Sequence, residues 1–277
     1  MSQPPAHEAR RLSFGAIAEQ YDRHRPSYPS QLVEDVIAYA GAHAGDRALE
    51  VGPGTGKATL PFAARGLQIT AVEPDDAMAE LARRRLAEAG LDAQILSADF
   101  ETAFDQAGLP EQAFKLLFSA TAWHWVTPAR RNQLAARALV SGGALAPFWN
   151  RPDWSTNPLC AQLEAVYTDI QAEFGAMPSG PMNPLGQPAE IRVASDWLEA
   201  EFADQTGFTD IEVRTYPTPV TYTTEEYLAL IGTHSDHHLL SAESRDPLFE
   251  RIAHVIDAAG GSFELTYETL LCLARRV

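Results

Sequence analysis

Cysteine is nearly absent, with two in 277 residues, Cys160 and Cys272. They lie far apart and in no metal-ligand spacing, which excludes a disulfide scaffold and fits a reducing compartment. Cys272 sits in the apolar run LTYETLLCLA and reads as a small buried hydrophobe, not a nucleophile. No apolar run is long enough to span a bilayer, and the opening MSQPPAHEARR lacks the apolar stretch of a signal peptide. A soluble, cytoplasmic protein is expected. Basic residues are also scarce: 21 Lys and Arg stand against 37 Asp and Glu, a formal net charge of -16. Such a field repels phosphate backbones and anionic lipid, so nucleic-acid and membrane partners are not expected. The short run Arg83 to Arg85 reads as a solvated helix face.

What is present is alternation. From about Asp46 to Asn150, β-branched and aromatic runs alternate with helix-period segments, the pattern of βαβ units around a parallel sheet. The strands read RALEVG, LQITAVEP, AQILSAD, FKLLFSA and GALAPFWN. Asp75 is placed to cap a helix whose Met78, Leu81, Ala82, Leu86 and Ala89 share a face, and Thr127-Pro128 starts another. Beyond Asn150 the pattern becomes a helix around Leu159 to Phe174 and then the Pro/Gly-rich stretch FGAMPSGPMNPLGQP, read as a long loop. A strand over FTDIEVRTYPTPVTY, helices from Thr224 and over Leu248 to Ala258, and a last strand SFELTYETLLCLAR complete the chain.

The segment EVGPGTG, Glu50 to Gly56, sets three glycines at alternate positions where a strand turns into a helix. Backbone can approach a ligand there, beside free helix N–H groups. Spacing separates the chemistries that use such a turn. A phosphate-cradling loop needs glycine at Val51 and Ser or Thr at Ala58, and a dinucleotide fingerprint needs its third glycine at Lys57, so both fail. Glu50, two places before Gly52, suits a ligand with a positive end. Glu73 ends the second strand seventeen residues past Gly56, within reach of a ribose, and Asp99 ends the third, placed to accept from an exocyclic amine. Together Glu50, Glu73 and Asp99 describe a nucleoside carrying an amine or sulfonium in place of phosphates.

With these residues the sequence resembles the class I S-adenosylmethionine-dependent methyltransferases, in particular the bacterial small-molecule branch that includes trans-aconitate methyltransferase-like proteins. ALEVGPGTGKAT looks like the first family motif, AVEPDDAM the ribose-binding segment, SADFE the adenine-side segment and SATAWHWV the fourth-strand motif. FGAIAEQYDRHRPSYP and FELTYETLLCLARR resemble the first and last segments of that branch. The resemblance implies an α/β fold: a Rossmann-like, doubly wound, seven-stranded, mostly parallel sheet in the order 3-2-1-4-5-7-6, with an antiparallel last strand and helical cap segments. One domain over 1–277 is expected, with a cap at 1–40, sheet core at 46–150 and 208–277, and substrate-side insertions at 151–207 and 222–260.

By the same resemblance, S-adenosyl-L-methionine lies with its methionine part over Gly52, Gly54 and Gly56. Glu73 and Pro74 hold the ribose, Asp99 and Phe100 frame the adenine, and Ser119 and Ala120 lie beside the cofactor. Tyr21 and Arg25 close over it, Arg25 pairing with its carboxylate and Tyr21 facing the sulfonium. Thr121 stands where the family usually carries glutamine. Methyl transfer then needs a nucleophile held in line and water kept out, with a base only for a hydroxyl. His124 follows strand four at the carboxyl edge of the sheet and is the catalytic candidate. Trp123, Trp125 and Trp149 are placed to wall a substrate pocket. His234, His237 and His238 have spacings that suggest a metal, but Asp236 points elsewhere on a helix, so no metal is expected and His234 is read as lining the substrate pocket. The competing reading is a protein of this fold that keeps the cofactor but catalyses a cyclase or lyase reaction.

Overall fold

The computed structural model describes residues 18–175, 207–234, 237 and 240–277. The stretch FGAMPSGPMNPLGQP lies almost wholly outside them, as does His238. Helices α1 (Ala18–His24) and α2 (Ser30–Ala40) precede the sheet. Then come β1 (Arg47–Val51), α3 (Thr59–Ala63), β2 (Gln68–Glu73), α4 (Asp76–Glu88), β3 (Gln94–Ser97), α5 (Ala103–Gln106) and β4 (Phe114–Ala120). A 3-10 turn, Trp123–Trp125, leads to α6 (Pro128–Ala138) and β5 (Leu139–Asp153). The remaining elements are α7 (Cys160–Phe174), β6 (Phe208–Thr223), α8 (Thr224–Gly232), α9 (Ala242–Ala258) and β7 (Ser262–Arg276).

The seven strands form one sheet in the order β3-β2-β1-β4-β5-β7-β6, with β7 antiparallel. β1 pairs in parallel with both β2 and β4, Glu50 facing Ala71 on one side and Phe118 on the other. After β1 the chain winds outward through β2 and β3, then crosses back to β4. A switch of direction opens a crevice beyond the carboxyl ends of β1 and β4, since the connections on either side leave in opposite directions. The glycine turn and the 3-10 turn stand at those two ends.

Residues cluster in two compact units. The first holds Ser27–Asn150, the first part of β6 up to Tyr216 and the last part of β7 from Thr269. Its strands are buried on both faces, as the alternation along β7 shows. Leu271 and Leu273 pack with Leu32, Phe62, Phe118 and Phe148, while Leu270, Cys272 and Ala274 pack with Leu49, Leu117, Trp123 and Trp149. The second unit includes α7 to α9 and Pro217–Glu268, around an aromatic core of Trp154, Tyr167, Tyr222, Tyr227, Phe263 and Tyr267.

Helix starts follow their local chemistry. Asp75 accepts from the N–H groups of Ala77 and Met78 at 2.9 and 3.1 Å, and Thr223 with Glu226 forms a capping box on α8. Two boundaries differ from expectation. α9 begins at Ala242, ahead of Leu248, with Pro247 inside it; a proline so near the start removes one backbone bond, which the packing of Leu248 and Ile252 offsets. β5 reaches back to Leu139, past Gly142 in a left-handed conformation and a register irregularity against β4. Among the described residues, no helix is long and apolar enough to cross a membrane. Asp75→Ala leaves two N–H groups of α4 without their acceptor and is expected to cost about 1 kcal/mol in urea unfolding; an unchanged midpoint would contradict that cap.

Candidate functional site at the carboxyl edge of the sheet

The three glycines leaving β1 all have positive φ: +70° at Gly52, +56° at Gly54 and +84° at Gly56. L-residues avoid this region because Cβ meets neighbouring backbone. Gly52 has a second constraint, since a Cβ there would lie 2.4 Å from Cβ of Ala122. Among the described residues, nothing lies within 4 Å of such an atom above Gly54. Its main chain is therefore open to a ligand.

Glu73 clamps this turn. It is 6% exposed, and its two oxygens accept from Gly54 N–H at 2.9 Å and Asp75 N–H at 3.0 Å. Each carboxylate oxygen has more than one lone pair, so ribose hydroxyls can be added to those bonds. Arg85 donates to the Thr55 carbonyl at 3.1 Å and Arg83 to the Ile95 carbonyl at 2.9 Å. The arginine run is thus only in part a solvated face: Arg84 is exposed, while the other two bond backbone, one of them that of the glycine turn.

The other expected cofactor residues of this edge are buried or half-buried. Glu50 is 0% exposed; Thr59 Oγ1 donates to its Oε2 at 2.6 Å, and Oε1 has no partner among the described residues. Burial pushes its carboxyl up to about 8, against the pull of the Thr59 hydroxyl and with a further push from the Glu73 charge. The carboxyl expected to face the positive end of a ligand is thus sealed beneath the turn. Ser119 is also fully buried, and its Oγ donates to the Val51 carbonyl at 2.8 Å, fastening β4 to β1. Ala120, last in β4, is half-buried, as are Pro74 and Asp99. Phe100 packs in the core with Phe104 and Trp123 at 6.1 and 6.2 Å between ring centroids.

The expected tryptophan wall is corrected in part. Trp123 is 0% exposed and belongs to the core, its large apolar surface buried at the cost of an indole N–H with no partner among the described residues. Trp149 is 5% exposed, and its Nε1 donates to His124 Nδ1 at 3.3 Å. His124 and Trp125 are half-buried, their rings tilted at 4.9 Å. Thr121 takes φ +55°, a costly conformation for a β-branched residue. It is held by its N–H to the Phe148 carbonyl at 2.7 Å and by the Tyr28 hydroxyl at 2.9 Å from its Oγ1. Tyr28, Thr59 and Ala122 were not singled out from the sequence. Their partners stand up to 93 residues away, so no spacing signals them.

In the other unit, Arg25 donates from Nε to Thr233 Oγ1 at 3.1 Å and from Nη2 to the Thr233 carbonyl at 3.2 Å. A guanidinium at the end of α8 meets its last carbonyls and dipole. Tyr21 lies in α1, but its side chain is outside the described residues. His237 Nε2 is 2.6 Å from the Tyr167 hydroxyl. The His234 ring lies 5.7 Å from that of His237, with Nδ1 buried and without a partner among the described residues. Burial holds His234 well below the usual histidine range, aided by the charges of Arg25 and His237. Among the described residues, no group of three or more His, Cys, Asp or Glu is arranged to hold a metal ion.

Residues 48–143 match the family model of a methyltransferase domain, a span that takes in the glycine turn, Glu73, Asp99 and His124. An uncharacterised methyltransferase of Mycobacterium tuberculosis is 35% identical over 142 residues, covering 51% of this chain and 54% of that protein. The chain thus spans about half the length of the curated relatives it matches. Among solved structures, a protein of Anaeromyxobacter dehalogenans provisionally named a type II methyltransferase superposes with a TM-score of 0.60 at 23% identity, covering 91% of this chain and 97% of that one. Phosphoethanolamine N-methyltransferase 2 of Haemonchus contortus, solved with S-adenosylhomocysteine, gives 0.54 at 16% identity, covering 96% and 60%. At these identities the structural likeness is one of fold.

Two measurements probe the turn. Gly52→Ala adds a methyl group against Ala122 and a backbone strain, together expected to cost about 2–4 kcal/mol; a loss below about 0.5 kcal/mol would mean that the turn yields. For Glu50 the folded-state pKa is above the ordinary 4.5, so the native state holds the extra proton. Its contribution is fully present below pH 4.5 and is lost as pH rises through about 8. Over that window the wild type should lose up to about 1.4 kcal/mol per pH unit relative to Glu50→Gln. Parallel stability profiles for the two proteins would refute a sealed carboxyl.

Proposed function

We propose that this chain binds S-adenosylmethionine at the glycine turn and transfers its methyl group to a small molecule bearing a carboxylate, hydroxyl or amine. One observation carries the reading: an open, left-handed glycine turn whose neighbouring strand ends hold acceptors, Glu73 and Asp99, with Glu73 clamped onto the turn itself. Acceptors suit the hydroxyls of a ribose and the amine of a base. The match of residues 48–143 to a methyltransferase domain supports it.

In this reading the backbone of Gly52 to Gly56 runs beneath the methionine part, Glu73 beside Pro74 accepts from the ribose, and Asp99 accepts from the adenine amine. The cofactor, when bound, supplies a methyl group on a positively charged sulfur that leaves as a neutral thioether. The protein positions the acceptor and excludes water. His124, at the end of the crevice beside β4, is the residue we assign to the acceptor, with Trp125 next to it. The strongly acidic composition favours a small molecule over nucleic acid or anionic lipid, and the low cysteine count suits the cytoplasm. The likeness of the sequence to the trans-aconitate methyltransferase branch agrees with an acceptor of low mass.

Thermal-shift titration tests the cofactor. S-adenosylmethionine at about 100 times its Kd is expected to add about 2.7 kcal/mol of stability, and stabilisation by nicotinamide cofactors alone would sink the reading. Glu73→Gln is expected to weaken that binding about 10–100-fold, the loss of a charge-assisted hydrogen bond. Mass spectrometry of an acceptor panel then separates transfer, with a product one methyl heavier, from a cyclase or lyase reaction that leaves the cofactor intact.

A further inference from the structure

At the end of the sheet opposite β3, β6 has β7 as its one strand neighbour among the described residues. The outer edge of such a strand carries backbone N–H and C=O groups that a further strand can pair with. The regular part of that edge is short. Asp210, in a left-handed conformation at φ +51°, precedes it, and Pro217, which has no N–H, follows it. Between them Ile211 packs against the core on one face. On the other, the Tyr216 hydroxyl donates to Asp35 of α2 at 2.6 Å, and Arg214 lies 3.4 Å from the same carboxylate oxygen. The strand is therefore held before any partner arrives, and pairing costs little further ordering. Beside it a cleft of about 620 Å³, lined by Tyr39, Asp210, Ile211, Glu212, Arg214 and Arg275, leaves room along this run. Val213 is 37% exposed, one of two large apolar side chains so exposed among the described residues.

We propose that β6 is a docking edge for a second copy of this chain, joined antiparallel over Ile211–Thr215 with the two Val213 residues facing each other across a two-fold axis. Charge selects both the partner and the register. Residues opposite each other in an antiparallel pair lie on one face, with Cβ atoms about 4.5–5.5 Å apart. Centred on Val213, that geometry sets Glu212 opposite the partner's Arg214, and Arg214 opposite the partner's Glu212. Glu212 already accepts from Arg214 of its own strand at 2.5 Å, so the four groups form a square with opposite charges along every side. On the other face Val213 meets the partner's Val213, and Ile211 meets the partner's Thr215. Centring on Ile211, Glu212 or Arg214 sets like charges against each other, and centring on Thr215 brings Pro217 into the ladder. A parallel partner in register repeats the like-charge clash. An unrelated strand of one charge sign satisfies half of this alternation, whereas a copy of the strand satisfies all of it. So short a ladder buries an area at the low end for specific interfaces, below about 1,200 Å². The dimer is weak and reversible.

Sedimentation velocity of the full chain tests this in about 0.15 M salt, where a Debye length of about 8 Å screens the mutual repulsion of two chains of net charge -16. Between about 10 and 500 µM protein, a range suited to a small interface, the sedimentation coefficient is expected to rise from that of a monomer toward that of a dimer. Arg214→Glu and Val213→Asp each set like charges across the axis and are expected to raise the dissociation constant about tenfold or more. Glu212→Arg combined with Arg214→Glu reverses the square without breaking its alternation and should return within about threefold of wild type. Val213 makes no ion pair within its own chain to lose, so Val213→Asp serves if circular dichroism shows the charge variants to be unfolded. Hydrogen exchange within Ile211–Thr215 is expected to slow at the higher concentration. A chain that stays monomeric throughout overturns the proposal; slow exchange at every concentration then shows the edge covered by the chain's own residues, and rapid exchange shows it bare. A dimer indifferent to Val213→Asp, or a folded double variant no tighter than Arg214→Glu alone, overturns it as well. None of these outcomes bears on the methyl transfer proposed above.

Discussion

A carboxylate that accepts two backbone N–H groups from different segments fixes both segments at once, and Glu73 does this at the point where the sheet changes direction. Gly54 on one side and Asp75 on the other are both bound to it. Asp75 in turn caps α4, and from the last turn of that helix Arg85 reaches back to the Thr55 carbonyl. Turn, strand end, helix start and helix end thereby close a ring of hydrogen bonds around the glycines. Bonds to a charged group contribute about 1.5–3 kcal/mol each. A turn made of three left-handed glycines has little stiffness of its own, and the ring supplies it.

Much of this edge is legible in the sequence because strands end where polarity returns. The alternation from Asp46 to Asn150 placed β1 to β5, the glycine spacing ruled out two phosphate motifs, and Glu73 and Asp99 fell at the ends of β2 and β3 or just beyond. What the sequence withheld is the direction in which each side chain points. Glu50 and Ser119 lie at strand ends as expected, yet both turn inward, toward Thr59 and the Val51 carbonyl. Trp123 and Trp149 share a composition that suits a pocket wall and an amount of apolar surface that suits a core; burial decided for the core. Arg25 and Thr233 are 208 residues apart, and only the folded chain brings such partners together.

The buried polar atoms of the molecule fall into two groups. Most are satisfied by the fold itself, as when the Tyr167 hydroxyl meets His237 or Thr269 meets Asn150. A few are left without a partner among the described residues: Oε1 of Glu50, Nε1 of Trp123 and Nδ1 of His234. Burying such an atom costs about 1–3 kcal/mol. Glu50 reduces that cost by keeping its proton, since a neutral carboxyl is far easier to bury than an ion. Stability is thereby given up beside the glycine turn, where strain at Thr121 adds to it.

The close approach of Gly52 to Ala122 carries a consequence for how this protein changes over time. The glycine turn and the segment bearing His124 come from strands separated by more than sixty residues, yet a single methyl group is the gap between them. Neither can drift alone. A larger residue at position 122 presses on the turn, and any residue but glycine at 52 presses on the segment after β4. Lineages that alter the segment after β4 must therefore do so beyond Ala122, at His124, Trp125 or further along, and variation among descendants should be confined there by sterics before selection for chemistry acts.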